Sequence, residues 1–228
     1  MKFTTSRSTL LKPVQAVIGV VERRQTMPIL ANLLLVAKGS ELSVTATDLE
    51  VELVAKIQID KIDVAGEIAV PGRKLLDICR SLPDDASVQI EIDGERLVLK
   101  SGRSRFVLGT LPAQDFPVVE DVQAVHTLEL SQGELRVLLE KTQFAMAQQD
   151  VRYYLNGLLL ETGKKAIRAV ATDGHRLAVC EVPLSDQKVG THQVIIPRKG
   201  VQELQRLLTG DGQLTLTIGP NHVRATID

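Results

Sequence analysis

The chain repeats itself. Set LANLLLVAKGSELSVTATDLEVELVAKI (30–57) above LNGLLLETGKKAIRAVATDGHRLAVCEV (155–182). Leu33, Leu34 and Leu35 fall on Leu158, Leu159 and Leu160, and Ala46, Thr47 and Asp48 fall on Ala171, Thr172 and Asp173, at an offset of 125. Upstream, the stripe Leu10, Val14, Val17, Val21 meets Leu135, Leu139, Thr142, Met146, the spacing of one face of an amphipathic helix. Downstream, PGRKLLDICRSL (71–82) meets PRKGVQELQRLL (197–208) at an offset of 126. Self-similarity at a fixed period restricts the fold more than composition does, because each copy must bury its own core. Two domains are expected, residues 1–125 and 126–228, with the boundary inside DFPVVEDVQAV (115–125).

Each copy also halves. A strand leads into a helix, three strands follow, and a second strand leads into a second helix, as HTLELSQGELRVLLEKTQ (126–143) and HQVIIPRKGVQELQRLL (192–208) both begin. Val88, Ile90 and Ile92 alternate with Gln89, Glu91 and Asp93, the pattern of an antiparallel strand with one buried face. The fold class is α+β, with two β-α-β-β-β halves per domain. The strand SGRSRFVLGT (101–110) closes the first copy, and at the same offset its counterpart would begin near residue 226. The second domain is therefore expected to lack its final strand.

With no Trp, two Tyr and four Phe in 228 residues, the cores must be aliphatic. Cys79 and Cys180 are too far apart in sequence for a CxxC pair and read as buried thiols in a reducing compartment. MKFTTSRSTLLKP (1–13) lacks a long apolar run, and no stretch approaches the roughly 20 apolar residues that span a bilayer. A soluble, cytoplasmic protein without membrane contact is expected.

The segment ATDGHRLAV (171–179) places a carboxylate, a glycine, an imidazole and a guanidinium in consecutive positions, in the manner of a catalytic cluster. Its counterpart in the first copy is ATDLEVELV (46–54), so Ala-Thr-Asp is common to both and Gly-His-Arg is not. An Asp between two alternating runs is hairpin chemistry, its side chain accepting local backbone N–H groups. Asp48 and Asp173 are therefore read as structural. His175 and Arg176 are left without a nucleophile, and no HExxH, GxSxG, P-loop or GxGxxG pattern accompanies them. No enzyme, metal site or cofactor is expected. A difference imposed on a shared scaffold is still where a binding site is grafted.

The formal net charge is −1, yet the charge is unevenly distributed. The four helical segments with their turns (6–24, 71–82, 131–147, 197–208) hold twelve cations against five acids, leaving the rest acidic. Arg73, Asp77 and Arg80 lie opposite the apolar face Leu75, Ile78, Cys79, Leu82, and they become Lys199, Glu203 and Arg206 in the second copy. Two readings stay open. Solvated helix faces carry mixed charge, and 131–147 has no net charge. Alternatively a basic helical layer contacts phosphates without reading sequence. The loops ERRQTMPIL (22–30) and AQQDVRYYL (147–155) place Arg24 opposite Gln149 and add Tyr153 and Tyr154 beside Arg152. The tyrosine pair reads either as a contact to a nucleic-acid strand or as including a core plug.

MKFT (1–4), LLKP (10–13), SGRSRF (101–106), LPA and DFP within 111–117, QDVRYYLNG (149–157), ATDGHRLAVC (171–180) and IPRKGV (196–201) together resemble the bacterial DNA polymerase III β subunit, the sliding-clamp family. The resemblance covers the whole chain. It implies a DNA-clamp fold with helices lining the inner face of a ring and antiparallel sheets outside. It also implies a processivity factor that encircles double-stranded DNA and tethers the replicative polymerase subunit, the clamp loader and other proteins bearing a clamp-binding motif.

Carried over by position, the resemblance assigns DNA contact to Arg24, Gln149, Tyr153 and Tyr154, with Arg73, Arg80, Lys199 and Arg206 on the basic helices. It assigns a hydrophobic peptide pocket to Leu155, Thr172, Gly174, His175, Arg176 and Leu177, which answers what the ATDGHRL cluster is for. It assigns a head-to-tail homodimer contact to Lys74, Arg103, Arg105 and Phe106, facing a third domain that this chain does not contain. The chain alone is accordingly expected to be monomeric or irregularly associated. It departs from the family's pattern at Glu22 and Arg23, where a glycine-rich loop is usual, and at Gln148, where His is common. A protein-interaction scaffold that does not encircle DNA is the competing reading, and an enzyme acting at His175 comes third.

Overall fold

A computed structural model of the 228 residues describes all of them except 22–26, 118, 120–122, 185–189, 221 and 228. It divides into two compact units, Met1–Val119 and Glu120–Asp228.

In the first unit β1 (Lys2–Ser6) runs directly into α1 (Arg7–Val17), and the Ser6 hydroxyl caps the helix by accepting the Thr9 N–H at 3.0 Å. Three antiparallel strands follow, β2 (Asn32–Lys38), β3 (Glu41–Thr47) and β4 (Glu52–Gln58), then a short β5 (Ile62–Val64). The second half opens with β6 (Gly66–Pro71) and α2 (Gly72–Ser81) and continues through β7 (Ser87–Asp93), β8 (Arg96–Ser101) and β9 (Ser104–Gly109). The sheets are not the two halves. Their strand orders are β5-β1-β7-β8-β9 and β4-β3-β2-β6, so the first sheet joins the three strands of the second half to β1 and β5 of the first, and the second joins three strands of the first half to the lead strand β6. β1 pairs with β7 from Lys2 opposite Glu91 to Ser6 opposite Ser87, and β6 pairs with β2 from Pro71 opposite Asn32 to Gly66 opposite Ala37.

The second unit repeats this plan. β10 (His126–Ser131) leads into α3 (Gln132–Glu140), which Ser131 and Glu134 close with a reciprocal capping box. β11 (Gly157–Thr162), β12 (Ala166–Thr172) and β13 (Leu177–Pro183) follow, then β14 (His192–Pro197), α4 (Arg198–Leu207), β15 (Gln213–Ile218) and β16 (Val223–Ile227). The orders are β13-β12-β11-β14 and β10-β15-β16, the same exchange of lead strands.

Every member of the paired stripes is buried: Leu10, Val14, Val17 and Val21 in the first unit, Leu135, Leu139, Thr142 and Met146 in the second. The helices are shorter than their stripes. Pro13 inside α1 has no N–H to donate up the helix, and after Val17 the chain tightens into a 3-10 turn, Ile18–Val20. α3 stops at Glu140, and the Thr142 hydroxyl turns back to the Leu138 carbonyl at 2.6 Å, which satisfies the one polar group in that stripe.

On α2, Leu75, Leu76 and Cys79 face the core while Arg73, Asp77 and Arg80 are exposed. Burial pushes the Cys79 thiol up to about 11 against the smaller opposing pull of the Arg7 charge. Cys180, expected to be buried, is only half-buried, because it stands on β13 at the edge of its sheet.

Candidate functional site

The hairpin between β12 and β13 is built by its own side chains. Asp173 Oδ1 accepts the N–H of His175 and of Arg176, both at 3.0 Å. Thr172 Oγ1 accepts the Gly174 N–H at 3.1 Å and donates to the Arg176 carbonyl at 2.7 Å. The first unit makes the same turn: Asp48 Oδ1 takes the Glu50 and Val51 N–H groups at 3.1 and 2.8 Å, and Thr47 Oγ1 takes that of Leu49 at 3.0 Å. These backbone bonds are the largest reason the Asp173 carboxyl lies below its ordinary range, with the Arg176 guanidinium adding to them. The apparent catalytic carboxylate is thus committed to the turn.

What differs between the two turns is what they display. Gly174, His175, Arg176 and Leu177 are exposed, Leu177 by 66 % of its surface, and Val179 two residues on stands out from the same face of β13 by 55 %. The Arg176 guanidinium bonds Asp173 Oδ2 through Nε at 3.0 Å and lies 5.7 Å from the centre of the Phe144 ring. Phe144 is itself 57 % exposed. Thr172 and Leu155 are half-buried beside this rim.

The loop carrying Gln149, Tyr153 and Tyr154 is pinned at both ends. Asn156 accepts the Asp150 N–H and donates to the Asp150 carbonyl, each at 2.9 Å, and the Leu155 carbonyl accepts the Ala147 N–H at 2.9 Å. Gln149 takes a left-handed backbone (φ 57). Asp150 accepts Arg152 Nε at 3.0 Å and a terminal guanidinium nitrogen at 2.9 Å, an arrangement that holds its carboxyl down at about 2. The same guanidinium comes within 3.4 Å of where a Cβ on Gly174 would stand, so this loop abuts the hairpin. The core-plug reading of the tyrosines is overturned. Tyr153 and Tyr154 are 82 % and 50 % exposed and meet edge to face with ring centres 6.0 Å apart, while the core of this unit is aliphatic. Arg24 lies outside the described residues, as do Glu22 and Arg23.

Among the helical cations, Arg80 and Arg206 are exposed, Arg206 bridging Glu203 one turn back at 2.6 Å, and Lys199 is half-buried. Arg73 donates to the Val21 carbonyl at 2.8 Å, tying α2 to the end of the α1 segment. In the second unit Arg198, the neighbour of the aligned Lys199, donates to the Met146 carbonyl at 3.2 Å. Of the four remaining residues, Lys74 is exposed on α2, Arg103 is exposed in the turn before β9, and Arg105 is exposed on β9, the outermost strand of its sheet. Phe106 alternates inward onto the core. The structure also holds a shallow concavity of about 180 Å³ on β11–β13, lined by Glu161, Lys165, Arg168 and Glu181, away from the hairpin rim. Across the strands Arg168 meets Glu181 at 2.7 Å. Among the described residues no cluster of three or more metal-ligating side chains occurs and no helix is long and apolar enough to cross a membrane.

Phe144, Asp150 and Asn156 were not singled out from sequence. The repeat carried the signal, since at the same offset they fall on Gly19, Gln25 and Ala31, each of a different residue type.

A doubled unit, each copy with two antiparallel sheets that exchange lead strands and a helix after each lead strand, defines the DNA-clamp class of proteins. The chain belongs to the DNA polymerase III beta subunit family: residues 1–120 match its N-terminal domain and residues 129–228 its central domain. It is 56 % identical over 227 residues to the beta sliding clamp of Pseudomonas putida KT2440, and 51 % identical over 228 residues to that of Escherichia coli K12. It spans 62 % of the length of either. It superposes with a TM-score of 0.95 on the Pseudomonas aeruginosa DNA polymerase III subunit beta bound to griselimycin, at 54 % identity, covering all of this chain and 62 % of that one. The Caulobacter crescentus pol III beta gives a TM-score of 0.94 at 44 % identity, covering all of this chain and 63 % of that one.

Proposed function

We propose that this chain supplies two domains of a ring-shaped processivity factor that encircles duplex DNA without reading its sequence and tethers the replicative polymerase to it. The observation that carries the reading is that both units match successive domains of the beta subunit family over nearly their whole length. Arg73, Arg80, Lys199 and Arg206, with Arg24, Gln149, Tyr153 and Tyr154 on the loops, act as loose phosphate and strand contacts. Such contacts are weak singly and screened by salt, which suits sliding. Retention comes from topology.

The rim Leu155, Thr172, Gly174, His175, Arg176 and Leu177 receives a short hydrophobic peptide of the polymerase subunit, the clamp loader and other partners. Its support is the exposed apolar surface of Leu177 and Val179 on a turn already rigid from its own hydrogen bonds. Lys74, Arg103, Arg105 and Phe106 contribute the head-to-tail dimer contact of the ring. The domains divide near residues 115–125. The protein performs no chemistry and works in the cytoplasm.

The test is retention. The assembled ring, loaded on nicked circular DNA, stays bound through a gel-filtration column and is lost once the circle is linearised. Equal loss from circular and linear DNA would leave the interaction-scaffold reading in its place.

A further inference from the structure

Arg176 is anchored at four points. Its N–H goes to Asp173 Oδ1 at 3.0 Å, its carbonyl accepts the Thr172 hydroxyl at 2.7 Å, its Nε meets Asp173 Oδ2 at 3.0 Å, and its guanidinium carbon lies 5.7 Å from the Phe144 ring centre. The first three belong to the turn. The fourth is supplied by another element, the 3-10 turn Gln143–Ala145 that follows α3.

The first unit has neither half of this contact, since Phe144 corresponds to Gly19 and Arg176 to Val51. Val51 there packs partly against the core, as a β-branched residue before β4 should. A core therefore needs no ring at position 144 to close the same scaffold. A phenyl left 57 % exposed beside a cation 57 % exposed is poorly explained by burial alone. The pair occurs in the unit whose hairpin displays Leu177, the residue directly after Arg176.

We propose that Phe144 is a positioning residue of the peptide site. Its ring face attracts the Arg176 guanidinium and holds the 173–177 rim in the form a partner's hydrophobic peptide meets. This rests on the reading of that rim as the docking surface. Fixing a long cationic side chain before binding removes the entropy cost of ordering it on contact. The contact is with the π face, so an aromatic replacement preserves it and an aliphatic one of similar size does not.

The experiment uses this chain, a fluorescein-labelled synthetic pentapeptide with Leu and Phe at its last two positions, and fluorescence anisotropy, beside 1H–15N spectra of the Arg176 Nε–H. Phe144→Leu should weaken binding about two- to fivefold and abolish the ring-current displacement of the Nε–H resonance, with an unchanged melting midpoint. Phe144→Tyr should keep both. Wild-type affinity in Phe144→Leu, or an equal loss in Phe144→Tyr, overturns the proposal. Binding that Leu177→Ala impairs and Phe144→Leu does not would leave the docking reading standing and remove this role alone. A wild-type chain that binds no peptide removes both.

Discussion

Asp173 Oδ1 accepts the backbone N–H of Arg176 at 3.0 Å, and the same oxygen holds His175, so one carboxylate shapes the turn that carries the proposed docking rim. Asp173→Ala should therefore lower the urea midpoint, because two turn hydrogen bonds are left unmade, and Asp48→Ala should act in the same direction. Asp173→Asn, which keeps an acceptor oxygen, should cost less. Equal losses for Asn and Ala at position 173 would show that the ion pair with Arg176 matters more than the turn.

The twin turns differ in strain. Leu49 stands at φ 80 where the second unit has Gly174 at φ 88. A side chain in the left-handed region costs about 1–2 kcal/mol, partly offset by the greater freedom glycine brings to the unfolded chain. Leu49→Gly should raise stability by about 0.5–1 kcal/mol, and Gly174→Ala should lower it by about 1 kcal/mol. Thermal melts of the two variants check both signs.

Asp150 is held at about 2 by its bonds to Arg152, against an ordinary value of 3.8. The folded value is the lower one, so the contribution is fully present above about pH 4 and is lost as pH falls through about 2. In a carboxyl 13C titration Asp150 should titrate about two pH units below an unperturbed aspartate, and Arg152→Ala should return it towards 3.8.

Leu177 is 66 % exposed in the free chain, so Leu177→Ala should leave the melting midpoint unchanged. If a partner peptide covers it, truncation removes about 2 kcal/mol of apolar contact and weakens binding about thirtyfold. A titration of wild type and variant with the same peptide reads this directly, and equal affinities would place the docking surface elsewhere.

The turn chemistry and the stripes were legible because they are local. Thr-Asp at 47–48 and 172–173 acts on N–H groups within three residues, and Leu10, Val14 and Val17 declare their face by spacing alone. The Arg176 and Phe144 contact was not, since it joins segments 32 residues apart through one ring and one cation with no periodicity to announce them. The tyrosines misled for a related reason. An aromatic in an aliphatic chain suits a core, and only the folded chain shows both rings at the surface.

By itself the sequence determined that there are two copies, that each is built of runs of strand, helix and further strands with the second copy's last run one strand short, and where the hairpins turn, because these follow from periodicity and short-range hydrogen bonding. Tertiary structure alone decided that β1 pairs with β7 of the other half, and that β6 pairs with β2. A lead strand presents the same backbone edge to either sheet, so its local pattern is compatible with both partners. The choice is made by which pairing lets the helix behind it cover the shared core. In the same way, alignment puts Lys199 where Arg73 stands, while its neighbour Arg198 donates to the preceding loop, because a guanidinium one position away still reaches the Met146 carbonyl. Reach in space, as well as place in the alignment, decides such a contact.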